Sequence, residues 1–253
     1  MLELKSLIIP MAITCIAGVS TGIGSLISLF IKDFNKKYLQ FSLGLSTGVM
    51  VYVSFVELLA SAIKETGYLQ ANIAFFAGII FIMLIDTLIP HEYINETVGK
   101  QAKDKKLMVA GVYTMLGITI HNFPEGMAVF MSSLSDVNLG ISLAFAIAIH
   151  NIPEGIAVAM PIYYATGSRK KAFTYSFLSG IAEPIGALIG ILILFPFISP
   201  HILAYSLAFV AGIMVFIGFD ELLPLAYENT DGHIAIAGII TGMVVMAISL
   251  HLI

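Results

Sequence analysis

Polar side chains interrupt this chain at short intervals, and between them it runs apolar for about twenty residues at a time, the length a helix needs to cross a bilayer. The runs fall at 7–31, 39–62, 72–90, 107–131, 138–164, 172–197, 202–224 and 233–252. The pattern predicts an all-α polytopic membrane protein with eight transmembrane helices. The connectors are too short for a soluble domain, so residues 1–253 read as a single membrane domain. The first run follows Lys5 and continues for about 25 residues, well past the roughly 7–15 of a signal-peptide core. It reads as the first membrane helix.

Composition agrees with this: 58% of residues are hydrophobic and 11% charged, where a soluble domain is about a quarter charged. The net charge of −4 adds little, since the few charges lie almost entirely in connectors. Their placement matters more. With both termini outside, the inner connectors hold Lys32, Lys36, Lys37, Lys100, Lys103, Lys105, Lys106, Arg169, Lys170 and Lys171, and only Lys5 and Lys64 lie outside. Lysine and arginine gather on the cytoplasmic side, so both ends are expected on the non-cytoplasmic side. The single cysteine, Cys15, excludes an intrachain disulfide and a thiolate metal cluster. Nothing suggests nucleic-acid binding, and the methionines and the phenylalanines of helix 3 read as packing and lipid-facing surface.

The apolar runs are not independent of one another. Gly48–Ala62 in helix 2 aligns with Gly212–Ala226 in helix 7 at eight identities in fifteen, including Met50/Met214, Phe55/Phe219 and Glu57-Leu58-Leu59 against Glu221-Leu222-Leu223. Ala77-Gly78-Ile79-Ile80 in helix 3 matches Ala237-Gly238-Ile239-Ile240 in helix 8. Helix 1 follows helix 6 more weakly, through Gly18/Gly180 and Gly24/Gly186. Partners five helices apart cross the membrane in opposite senses. Helices 1–3 and 6–8 then form an inverted repeat around a second inverted pair, helices 4 and 5. Secondary transporters are built this way around a midplane site.

The candidate chemistry sits in that central pair. Helix 4 carries His121-Asn122-Phe123-Pro124-Glu125-Gly126 and helix 5 repeats it as His150-Asn151-Ile152-Pro153-Glu154-Gly155. Positions i, i+1 and i+4 project from one side of a helix, so each copy offers an imidazole, an amide and a carboxylate together. Pro124 and Pro153 free the carbonyls of Ile120 and Ile149 and are expected to kink their helices. Gly126 and Gly155 admit close neighbours. A third intramembrane carboxylate, Glu183, precedes Pro184 in helix 6.

Buried histidines can also serve as core hydrogen-bond partners or proton relays, but duplication with an asparagine beside each favours ligation. Imidazole, amide and carboxylate suit zinc, iron(II), manganese or cobalt rather than copper(I). Three carboxylates together in low dielectric require neutralisation by cations or protons.

These motifs, HNFPEG, HNIPEG and the AEP of Ala182-Glu183-Pro184, resemble those of the ZIP metal transporters, most closely their bacterial ZupT-like branch. The similarity runs through nearly all the helices and includes the turn Tyr164-Ala165-Thr166-Gly167-Ser168. It implies a 3+2+3 arrangement that carries divalent metal, zinc foremost and also iron(II), manganese, cobalt or cadmium, into the cytoplasm across a bacterial cytoplasmic membrane. It implies a two-metal centre between helices 4, 5 and 6. His121, Glu125, His150 and Glu154 would hold one ion. Asn122, Asn151 and Glu183 would hold the second, with Glu125 and Glu154 bridging. Some members have Gln-Asp where this chain has His150-Asn151, which replaces one acidic ligand by a neutral one. The expected partners are the metal ions and the lipid bilayer, with a homodimer left open.

Further polar residues suit a path: Glu57 at the outer end of helix 2, and Asp220 and Glu221 at the inner end of helix 7. Ordinary solvated helix ends explain each equally well. His91, Glu92 and Glu96 open the inner connector after helix 3, where the resemblance implies a metal-binding, histidine-rich stretch that would put His91 on the path; with one histidine a solvated loop is the simpler reading. An intramembrane metal-dependent hydrolase is the competing function. The chain lacks a His-Glu-x-x-His helix, and a catalytic site gives no reason for inverted halves. No enzyme activity is expected. A proton-coupled carrier of organic anions would need a buried basic anchor, which the sequence does not supply.

Overall fold

The computed structural model describes residues 4–30, 36–88, 104–135, 137–194, 199–227 and 232–252. His91, Glu92 and Glu96 lie outside the described residues. Among the described residues eight helices are long and apolar enough to cross a membrane: α1 (Leu7–Ser28), α2 (Lys37–Thr66), α3 (Tyr68–Thr87), α4 (Lys105–Leu134), α5 (Gly140–Thr166), α6 (Arg169–Leu192), α7 (Pro200–Leu222) and α8 (His233–His251). Among the described residues there is no strand. Large apolar side chains stand exposed along α1, α3 and α8, among them Ile16, Phe76, Ile80 and Ile240, as a lipid-facing surface requires.

Local signals set the connections. Gly67 (φ 88°) and Gly167 (φ 68°) take the left-handed backbone that lets α2 turn into α3 and α5 into α6 within a residue or two. Ser168 and Ser199 cap α6 and α7 by accepting from the N–H groups of Lys171 and Ile202.

In space the helices sort differently from their order in the chain. α1, α4, α5 and α6 pack on one another, as do α2, α3, α7 and α8, and the two groups meet where α2 touches α5 and α7 touches α4. Glycine makes these approaches. A Cβ on Gly48 of α2 would lie 2.1 Å from the Ile239 carbonyl of α8, and one on Gly212 of α7 would lie 2.0 Å from that of Phe75 in α3. Gly24 of α1 meets Ile152 of α5, and Gly186 of α6 meets Phe123 of α4, each at 1.9 Å. Every glycine named here thus has a counterpart elsewhere in the chain making the equivalent contact, in agreement with the repeat read from the sequence.

Four local features among the described residues depart from the uniform helices expected. α2, α6 and α7 each contain a π-helical turn, at Ser54–Leu58, Gly190–Leu194 and Gly218–Leu222, and the first and last of these lie in the segments that align in the repeat. α6 is interrupted at Ile181, between Arg169–Gly180 and Ala182–Ile189. Pro184 has no N–H for the Gly180 carbonyl, which instead lies against Gly18 of α1. The helix at the second motif runs unbroken from Val137 to Thr166 with Pro153 inside it.

Candidate metal centre

The residues of the two motifs converge where α4, α5 and α6 pack. Gly126 brings α4 against the backbone of Glu183, where a Cβ would sit 2.0 Å from its carbonyl oxygen. Gly155 brings α5 equally close to Thr21 of α1. His121, Asn122, Glu125, His150, Asn151, Glu154 and Glu183 are all essentially excluded from solvent.

The pairing is crosswise. His121 Nε2 of α4 lies 3.1 Å from both carboxylate oxygens of Glu154 on α5. His150 Nε2 of α5 lies 3.3 Å from Glu125 Oε1 on α4. Each histidine therefore faces the glutamate of the other helix, not the one four residues along its own. The asparagines turn their amide NH2 groups onto backbone: Asn122 donates to the Ser179 carbonyl at 3.2 Å and Asn151 to that of Ala17 at 3.0 Å. Asn151 also donates to Glu183 Oε1. The oxygens Asn122 Oδ1, Asn151 Oδ1 and Glu183 Oε2 have no hydrogen-bond partner although fully enclosed. Unpartnered buried acceptors are costly, and all three are oxygens of the kind that ligate hard and borderline cations.

Among the described residues no group of three or more His, Cys, Asp or Glu side chains already converges on one point as a metal cage. The imidazoles and carboxylates of helices α4 and α5 are drawn together in pairs through the histidine Nε2 atoms. The pair distances of 3.1–3.3 Å match the ligand-to-ligand edge of a tetrahedral zinc site, about 3.3 Å for bonds near 2.0–2.1 Å. The spacing within each pair is one that a divalent ion could bridge.

Two outlying regions complete the picture. Glu57, half-buried on the π turn of α2, lines a cleft of about 530 Å³ with Ser61, Glu65, Ser132, Ser142 and Pro200. Glu221, on the π turn of α7, lines a pocket of only about 20 Å³ with Asp86 and Tyr113. Asp220 is exposed on the same turn. The sequence did not single out Asp86 and Tyr113, nor the backbone carbonyls of Ala17 and Ser179. The equivalence of helices 2 and 7 was the one signal that pointed toward the first two.

The model of the ZIP zinc transporter family matches residues 90–250, more than half of the chain. The chain belongs to the ZIP family. Its similarity to individual members is close and runs end to end. It is 52% identical to the zinc transporter ZupT of Chlorobium phaeovibrioides, over 95% of this chain and 96% of that protein. It is 52% identical to ZupT of Chlorobium chlorochromatii, over 98% of both. With ZupT of Streptococcus mutans the identity is 50%, over 95% and 96%. ZIP membership makes this a multi-pass membrane transporter and not an enzyme, which removes the hydrolase reading.

Proposed function

We propose that this ZIP protein carries divalent metal ions into the cytoplasm through a centre enclosed by α4, α5 and α6. Zinc is the principal substrate, and iron(II), manganese, cobalt and cadmium are accompanying ones. The observation that carries the reading is the crosswise pairing of His121 with Glu154 and His150 with Glu125, fully buried among eight spanning helices. The names of the ZupT relatives support zinc.

In this reading His121, Glu125, His150 and Glu154 hold one ion. The unpartnered oxygens of Asn122, Asn151 and Glu183 favour a second position, with Glu125 and Glu154 shared between the two. The bias of lysine and arginine supports an orientation with both termini and the Glu57 cleft outside. The ion sheds water beside Glu57, binds between α4 and α5 as the carboxylates take over its charge, and leaves past Asp220 and Glu221. Histidine and amide ligands with carboxylates accept several borderline metals, so selectivity is graded and not absolute.

The test is uptake of zinc, manganese, iron(II), cobalt and cadmium into proteoliposomes containing the purified protein. Saturable influx, strongest for zinc, is expected. Folded, reconstituted protein that admits none of the five ions would overturn the proposal.

A further inference from the structure

Helix α1 supplies no residue to the ligand set above, yet it carries two hydroxyls that the packing leaves unexplained. Thr14, Ser20 and Ser28 of this helix donate to backbone carbonyls one turn back, as hydroxyls in apolar helices ordinarily do. Thr21 and Ser25 do not: both are fully buried and neither Oγ has a hydrogen-bond partner. They lie four residues apart, on one face of α1. That part of α1 packs beside the centre: the carbonyl of Thr21 and the N–H of Ser25 are the backbone atoms Gly155 approaches, one residue past Glu154, and the Thr21 side chain lies against Gly180 of α6, three residues before Glu183.

The repeat explains why Thr21 stands there. Asn122 donates to the Ser179 carbonyl of α6 and Asn151 to the Ala17 carbonyl of α1. Gly126 meets Glu183 and Gly155 meets Thr21. Thr21 is thus the counterpart in α1 of Glu183 in α6. One side of the centre has Asn151 bonded to a carboxylate. The equivalent side has Asn122 and a hydroxyl in the carboxylate's place, while the Oδ1 of both asparagines is unpartnered. The two positions also differ in depth. Gly18 lies against Gly180, Glu183 and Pro184, while Thr21 lies against Gly180 and Ser176, nearer the Arg169 end of α6 and away from the large cleft.

We infer that Thr21 and Ser25 form a neutral oxygen step for the divalent cation on the release side of the centre. This rests on the transport reading above. An ion held only by carboxylates and imidazoles binds well and leaves slowly, and conduction needs a weaker neighbouring site to leave into. Two hydroxyls on one face, without charge and without competing partners, supply that step. Glu183 instead retains the ion.

The test is initial zinc uptake into proteoliposomes, with bound zinc and melting temperature measured on the same preparations. Thr21→Val is nearly isosteric and removes the hydroxyl; Thr21→Ser restores it. Thr21→Val and Ser25→Ala are expected to lower maximal uptake about fivefold each, the worth of roughly one hydrogen bond, with zinc binding unchanged. Thr21→Ser is expected to keep the parent's rate. Thr21→Glu, which places a carboxylate on the release side, should bind zinc more tightly and transport more slowly. Parent-like maximal uptake by both Thr21→Val and Ser25→Ala would overturn the inference. So would loss of zinc binding in step with uptake, since that would make the hydroxyls part of the binding site itself. A parent protein that takes up no zinc would overturn the transport reading instead.

Discussion

The two ends of the molecule are built from equivalent sequence and look different. Glu57 and Glu221 occupy the same place in aligned segments and sit on matching π-helical turns. Yet the cleft beside Glu57 measures about 530 Å³ and the pocket beside Glu221 about 20 Å³, room for at most about one water. Between them the centre is nearly self-equivalent, with His121–Glu154 mirrored by His150–Glu125. Equivalent elements in unlike packings around a common centre are what alternation of access requires. In this structure the wider of the two spaces lies beside Glu57.

The comparison breaks most completely if the small-residue contacts fail. Gly126→Ala puts a methyl group 2.0 Å from the Glu183 carbonyl, and Gly155→Ala does the same at Thr21. Overpacking of this kind costs about 1–3 kcal/mol, so a clearly lowered melting temperature and loss of zinc uptake are expected from each. Gly218→Ala is the control, since its methyl would meet only side-chain carbons at 3.6 Å and beyond and should leave both nearly unchanged. A parent-like Gly126→Ala would mean that the close approach is not needed.

A second experiment reads the asymmetry itself. In a Cys15→Ser background, Ser142→Cys on the large cleft and Tyr113→Cys at the small pocket occupy equivalent positions of α5 and α4. A water-soluble maleimide should modify the first at least about tenfold faster, a ratio set by how often the closed end opens. Zinc during turnover should narrow that ratio. Equal rates without zinc would remove the distinction between the two ends.

Much of this was legible in the sequence. The eight apolar runs, both motifs and the pairing of helices 2 with 7 and 3 with 8 stood in the residues themselves. The partner of each histidine did not. Spacing along one helix puts His121 beside Glu125, but the rotation of α4 against α5 decides that His121 faces Glu154. The orientation of the asparagines was hidden too, because it is set by backbone carbonyls of α1 and α6 that have no sequence signature. A π turn adds one residue to a helix without altering its hydropathy, so Ser54–Leu58 and Gly218–Leu222 were silent. Helices α4 and α5 also run past their apolar cores, to Lys105 and Thr166, because helix formation does not stop where hydrophobicity does.

Smaller effects sharpen the centre. Asn151 bonds to Glu183 and Asn122 does not. Loss of a group that orients a ligand costs about 10–100-fold in metal affinity, so Asn151→Ala should weaken zinc binding more than Asn122→Ala in calorimetric titration. Equal losses would dissolve the distinction between the two halves. The smallest change expected is at the open end. Glu57→Gln removes one attracting charge at a wetted cleft and should raise the half-saturating zinc concentration about twofold, less at high salt. An unchanged value at low ionic strength would take Glu57 off the path.

The most direct measurement of the central claim is zinc uptake into proteoliposomes by Glu125→Ala and Glu154→Ala, each checked for helicity and elution volume against the parent. Each variant leaves one histidine without its carboxylate, and the predicted result is folded protein with uptake abolished and bound zinc reduced. Uptake at the parent's rate by either folded variant would contradict the assignment of the crosswise pairs as the ion's route.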